Sequence, residues 1–279
     1  MSLLQVLNFH GKTGDTMADK NYLHTAYANS ADGTDGFTTV YPNLNLLNFN
    51  SGVTLGKYYG WAADVTTFSG YRAYFKKVEV TPNNKYTISA NWSNTEWLNI
   101  YGFTNENDTT AIARYGSAGG IGAGSWDSNF VGGCSVANDM TFTVPANVNY
   151  IGVSYASISR DTLTLQALLK GKPKLEQGSI ATPWIPSASE VTTADWPKYV
   201  GTYVDTNLVS STDPSKYVWD EMKYRVYLDG VPVGGSKLLS SKVENLKPNT
   251  SYTIQVKQVS EEEESDFSDS VTFKTNVQK

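Results

Sequence analysis

Between Leu44 and Leu169 the sequence repeats one pattern: short runs of alternating apolar and polar residues, cut by clusters of Gly, Asn and Asp, without a helical period. Strand side chains alternate between two faces, so such runs bury one face and wet the other. Residues 85–103 show it best. Two runs flank the turn-prone Ser93, Asn94 and Thr95 and read as a hairpin. Tyr86, Ile88, Ala90 and Trp92 share one face of the first run. Leu98 and Ile100 form the aliphatic face of the second, with Trp97, Asn99 and Tyr101 together on its other face. Further strands are expected over 57–65, 71–80, 111–115, 140–144, 150–156 and 162–169, the last lining the core with Leu163, Leu165, Ala167 and Leu169. Roughly eight strands over about 140 residues point to a two-sheet sandwich of jelly-roll type.

Composition supports an all-β chain. Among 279 residues there are 18 Tyr, 7 Trp and 23 Gly but only 18% charged residues, which favours aromatic strands and turns over amphipathic helices. The formal charge of -5 argues against nucleic acid as a partner, because phosphate binders cluster Lys and Arg. Cys134 is the single cysteine, so no intramolecular disulfide forms. His10 and His24 are too few for a zinc site and lie outside any apparent core. No stretch approaches the ~20 apolar residues of a membrane span, and the N-terminus lacks the basic region of a signal peptide; a chain made in the cytoplasm without membrane insertion is expected.

The expected organisation is an arm or connector over 1–42, a jelly-roll domain over 43–186, a linker over 187–195 and a smaller sandwich over 196–279. An aromatic, amide, aromatic row such as Trp97, Asn99 and Tyr101 suits a sugar: rings stack on its C–H face and the amide meets its hydroxyls. The same aromatics equally suit the core of a sandwich. The glycine-rich stretch 119–124 lacks the βαβ context and the Lys of a phosphate loop, so it is expected to be a flexible loop. Its flanking Arg114, Trp126 and Asp127 are second candidates for holding a saccharide. Glu79, Glu96, Asp108, Asp127 and Asp161 show no paired spacing, and no catalytic residue or cofactor is assigned. The run Glu261 to Glu264 is expected at a solvated loop tip.

Several stretches resemble known families. NLNLLNFNSG with Gly60 and Trp61 resembles the opening of the jelly-roll carbohydrate-binding modules of glycoside hydrolases and phage tail proteins, and 24–47 resembles the lead-in to them. KPKLEQGSIATPWIP, 172–186, resembles the ending that follows such modules in tail and baseplate proteins of phages infecting Gram-positive bacteria. The segment 199–219 is similar to a motif of phage structural proteins. LKPNTSYTIQV, 246–256, resembles the fibronectin type III signature, which implies that Tyr252 bonds backbone a few residues upstream and that Trp219 is the buried tryptophan. Together these imply a non-enzymatic virion protein of the tail or baseplate. Its implied partners are host cell-wall polysaccharide and other baseplate or tail proteins, with a structural calcium ion the one metal left open. A spacer making only protein contacts is the alternative, and a glycoside hydrolase a more distant one.

Overall fold

In the computed structural model, which describes residues 21–56, 70, 72–90, 96–117, 120–127, 140–157, 162–241, 243, 246–260 and 263–276, the chain starts one unit, inserts a second over Leu44–Val191, and returns to complete the first. β1 (Tyr22–Ala28) and β2 (Phe37–Thr38) belong to the first unit. The insert supplies β3 (Val53–Leu55), β4 (Arg72–Glu79), β5 (Lys85–Ser89), β6 (Glu96–Phe103), β7 (Ala113–Ser117), β8 (Gly120–Asp127), β9 (Met140–Thr143), β10 (Tyr150–Ser157), the helix α1 (Leu165–Lys170) and β11 (Lys174–Gln177). The first unit then gains β12 (Tyr199–Asp205), β13 (Val218–Glu221), β14 (Tyr224–Leu228), β15 (Val231–Ser236), β16 (Ser251–Gln258) and β17 (Val271–Lys274).

The insert is a two-sheet sandwich. One sheet runs β3-β4-β10-β6-β7-β8 and the other β11-β5-β9. Phe75, Ile100, Tyr115 and Val153 from the first meet Tyr86, Ile88, Phe142 and Leu175 from the second in one buried cluster. Alternation therefore gives the inward faces correctly, but 85–103 is not a hairpin. Both edges of β5 are taken by β11 and β9, and both edges of β6 by β10 and β7, so Ile88 and Ile100 enter the core from opposite sides. The stretch 162–169 is also corrected. Thr164 caps a helix by accepting from Ala167 N (3.1 Å), and Leu, Gln and Ala propagate it. Leu163 and Leu168 are buried, whereas Leu165 and Leu169 are each 37% exposed. The glycine stretch expected as a loop forms β8 from Gly120. The strand expected over 57–65 lies outside the described residues, as do Trp92, Cys134 and His10.

The ends of the insert are laced together. Asn45 and Ser187 form a parallel bridge; buried Asn45 donates to Pro173 O (2.9 Å) and accepts from Leu47 N and Leu175 N (2.9 and 3.0 Å). Glu190, placed by expectation in a linker, instead accepts from Phe49 N, Asn50 N and Ser187 Oγ. Within β11, Leu175 points into the core while Lys174 and Glu176, both fully buried, form an ion pair (3.4 Å). Thr182 completes it: its N–H and hydroxyl meet the Glu176 carboxylate, while Lys174 donates to Thr182 Oγ1 and Pro183 O (2.6 and 2.8 Å). Burial lowers the Lys174 ammonium to about 8 and raises the Glu176 carboxyl.

In the first unit, residues 21–43 are not an arm or connector. β1 pairs with all of β12 through seven registered positions, from Tyr22 opposite Asp205 to Ala28 opposite Tyr199. That gives a sheet β13-β12-β1-β2 beside a second sheet β15-β14-β16-β17. Arg225 on β14 reaches back to this N-terminal segment, donating to Tyr41 Oη (2.9 Å) with its guanidinium 4.1 Å from the Trp196 ring. Trp196 is the buried indole here. Trp219 is half-buried on β13, its indole filling the space that Gly201 and Gly33 leave; a Cβ at either would come within 2.8 Å and 2.4 Å of it respectively.

One local motif occurs in both units, in TPNNKYTI (81–88) and KPNTSYTI (247–254). Asn83 and Asn249 adopt left-handed φ of 65° and 53°, a conformation Asn tolerates. Three residues later Tyr86 and Tyr252 accept from the backbone N–H five residues upstream, Thr81 N (3.0 Å) and Lys247 N (2.9 Å). Each tyrosine faces a phenylalanine across the ladder, Phe142 and Phe273.

Two measurements check these packing claims. Lys174→Met strands a buried carboxylate and should cost about 3–5 kcal/mol in denaturant unfolding at neutral pH. Without the cation, the raised Glu176 carboxyl rises further, and its protonated form is the one the fold tolerates. The loss should therefore shrink as pH falls from 7 toward the ordinary glutamate range, and a pH-independent loss would refute the ionic assignment. Tyr86→Phe and Tyr252→Phe should each cost about 1 kcal/mol by the same assay, with neutrality at both showing that the paired corners carry no stability.

Candidate functional site

The outward face of the six-stranded sheet gathers the described polar and aromatic side chains around β10. Ile151, Val153 and Tyr155 point into the core, which leaves Gly152 and Ser154 on the outward side. Register then assembles rows across the sheet. Tyr74, Ser154 and Asn99 form one, and Arg72, Ala156 and Trp97 occupy the next. Gly152, Tyr101, Arg114 and Asp127 form a third. The outward positions 152 and 154 of the central strand are small, Gly and Ser, and form a low strip between Tyr74 on β4 and Asn99 on β6. Asn99, Tyr74 and Arg72 are half-buried along it, and Ser154 is buried within it.

One end of this face is closed. Tyr101 is 5% exposed and packs with Phe103 and Ala111, against Tyr74 and Tyr150. A bulge in β4 opposite Gly152 inserts one extra residue and lets Lys77 lie 4.3 Å over the Phe103 ring, where it donates to Glu106 O and Asp108 O. Burial lowers its ammonium pKa. Asp108 in turn accepts from Asn105 N (2.8 Å), which holds its carboxyl below the usual range. Lys77 thus ties the loop 104–110 to the Phe103 ring, and Tyr101 beside it is a buried part of this packing.

Of the residues expected to hold a saccharide, Asn99, Tyr101 and Arg114 fall on this one face, with Arg114 9% exposed. For Trp97, Trp126 and Asp127 only backbone register is described: Trp97 opposite Ala156, Trp126 opposite Tyr115, Asp127 opposite Arg114. Arg72, Tyr74 and Ser154 were missed because they join the site only through register with β10. The signal available in sequence was the reciprocal alternation, Arg72 and Tyr74 against Ala73 and Phe75.

Other constellations are engaged structurally. Glu79 and Glu96 sit opposite Tyr150 and Ser157, the two ends of β10, roughly 23 Å of strand apart, too far for a glycosidase pair. His24, buried in the first unit, contacts Ser210 Oγ, Asp205 Oδ1 and Asn207 O, each at 3.0 Å, and stacks on Tyr203. This resembles a nucleophile, base and acid set, yet the adjacent amides are occupied: Ser211 N donates to Tyr203 Oη and Asn207 N to Asp205. It clips the 205–211 loop onto β1. A cleft of about 820 Å³ beside β14 is lined by Lys198, Glu221, Lys223, Arg225 and Glu264, where Arg225 pairs with Glu264. Among the described residues no group of three His, Cys, Asp or Glu could hold a metal ion.

Comparison with known proteins bears on the whole chain. Residues 197–255 match the model of the minor structural protein 5-like C-terminal domain. Among curated proteins there is no match. A chain of the tripod (BppUct-A-L) from the baseplate of bacteriophage Tuc2009 is 42% identical, over 94% of this chain and 100% of that one, with a TM-score of 0.60. At that identity and coverage the chain belongs to the family of the phage baseplate tripod protein, virion components of the tail baseplate of phages infecting Gram-positive bacteria.

Proposed function

We propose that the Leu44–Val191 unit binds a saccharide of the host cell wall along the outward strip over β10, and that the other unit joins the chain to neighbouring baseplate proteins. The observation that carries this reading is one row of the outward face: Ser154 on the central strand, with Tyr74 and Asn99 half-buried on its flanks. A pyranose offers an apolar face for the Tyr74 ring and hydroxyls for Asn99 and Arg72, which are half-buried. Trp97 stands opposite Ala156 in the next row of the ladder. Catalysis forms no part of the proposal, since Glu79 and Glu96 lie far apart and the family is structural. Single sugar sites are weak, and many copies on one particle would raise avidity without new contacts.

The burial of Tyr101 and Arg114 favours a second reading, a spacer whose insert makes only protein contacts. Binding of purified host cell-wall polysaccharide separates the two. Asn99→Ala and Trp97→Ala should each weaken binding on the order of tenfold, with an unchanged circular-dichroism spectrum. Wild-type binding by both variants would move the site elsewhere. Failure of the folded wild-type protein to bind would support the spacer.

A further inference from the structure

In the first unit the chain passes from the sheet β13-β12-β1-β2 to the sheet β15-β14-β16-β17 at Met222 and Lys223, and the cleft of about 820 Å³ lies at that crossing. Backbone hydrogen bonds fix its walls: Met222 N donates to Lys198 O (2.8 Å), Lys223 N to Ser236 O (3.0 Å) and Val259 N to Lys223 O (2.9 Å). Arg225 lines it although only 3% exposed. Four groups set its guanidinium. Nε donates to Tyr41 Oη (2.9 Å), Nη1 donates to Glu264 and to Tyr227 Oη (3.5 Å), and the Trp196 ring lies 4.1 Å away. The remaining nitrogen, Nη2, has no acceptor among the described residues, yet it is not sealed from solvent. Glu264 is already shared by Arg225 and Lys257 (3.5 Å). Lys198 and Lys223 are exposed on the same cleft and Tyr199 and Tyr224 half-buried, and none of the four side chains has an ion pair or hydrogen bond among the described residues.

We infer, on the reading that this unit joins the chain to its baseplate neighbours, that the cleft receives a carboxylate side chain from an extended segment of a neighbouring protein, held at Arg225 Nη2 with Lys198 and Lys223 beside it. A guanidinium oriented before binding presents its N–H donors without reordering, and a carboxylate meets them with full charge. The two exposed ammonium groups add attraction from the rim. A cleft of this size exceeds what one free ion fills and lies in the range of whole ligand sites, so the carboxylate arrives as part of a chain. Tyr199 and Tyr224 offer phenol hydroxyls to the main-chain carbonyls of that chain. Glu221 and Glu263, both exposed on the same cleft, repel a run of acids and select a single carboxylate between neutral or basic neighbours.

The probe is the capped tripeptide acetyl-Gly-Glu-Gly-amide, titrated into the isotope-labelled full chain up to about 50 mM. Saturable shifts should appear at the amides of Lys198, Tyr199 and Glu221 to Arg225, with a Kd on the order of 10 mM, and the glutamine counterpart should leave them unmoved. Lys198→Ala with Lys223→Ala, both at exposed positions, should raise that Kd roughly fivefold. An equal response to the glutamine peptide, a response to the lysine counterpart instead, shifts spread over lysines elsewhere on the surface, no shift at all, or an unchanged Kd in the double variant would each overturn the inference. Co-expression with the other baseplate proteins of the same phage tests the underlying reading separately. A wild-type chain that stays unassembled contradicts that reading and removes the partner, whereas Lys198→Glu with Lys223→Glu that assembles like wild type contradicts the cleft alone.

Discussion

The architecture depends on the pairing of β1 with β12. These strands are separated by the entire insert, and closing so long a loop between two short strands costs chain entropy that grows with length. The insert reduces that cost by bringing its own ends together. The Asn45 bridge to Ser187 and the Glu190 carboxylate on the amides of Phe49 and Asn50 hold entry and exit side by side. Beneath them the Lys174, Glu176 and Thr182 network fixes β11, whose Leu175 enters the core. The ending KPKLEQGSIATPWIP is therefore a fastener, in which a charged pair is kept inside because each polar atom has a designated partner.

What the sequence made legible follows from what alternation encodes. It says which side of a strand faces inward, and Tyr86, Ile88, Ile100 and Val153 are inside accordingly. It does not say which strand lies alongside, so residues 85–103 look like a hairpin although β5 and β6 belong to facing sheets. Period alone also failed at 162–169, where the alternating apolar residues Leu163, Leu165, Ala167 and Leu169 run into a short capped helix. Residues 21–43 escaped because β1 has its partner some 170 residues away, beyond any local pattern, though the register itself is regular. The duplicated Pro-Asn-x-x-Tyr-Thr-Ile motif was in plain view, and its two tyrosine corners show how one turn solution serves two different sandwiches.

The candidate site was legible by one strand only. On β6 the register sets Asn99 opposite Ser154 and Tyr101 opposite Gly152, and β4 brings Arg72 and Tyr74 beside them only through β10. Tyr101, for which the sequence left both a sugar platform and a sandwich core open, is buried against Phe103 and Ala111. The proposed site accordingly centres on Asn99 and Tyr74. The two units have separate cores, with the charged pair and the aromatic network each internal to its own unit.

The most direct test of that centre is chemical-shift mapping of the isotope-labelled chain during titration with oligosaccharides cut from the host cell wall. Saturable shifts should fall on the amides of residues 72–74, 97–101 and 152–156, and leave 199–205 and 251–258 unmoved. Shifts confined to the latter strands, or none at all from a folded protein at saturating sugar, would contradict the account.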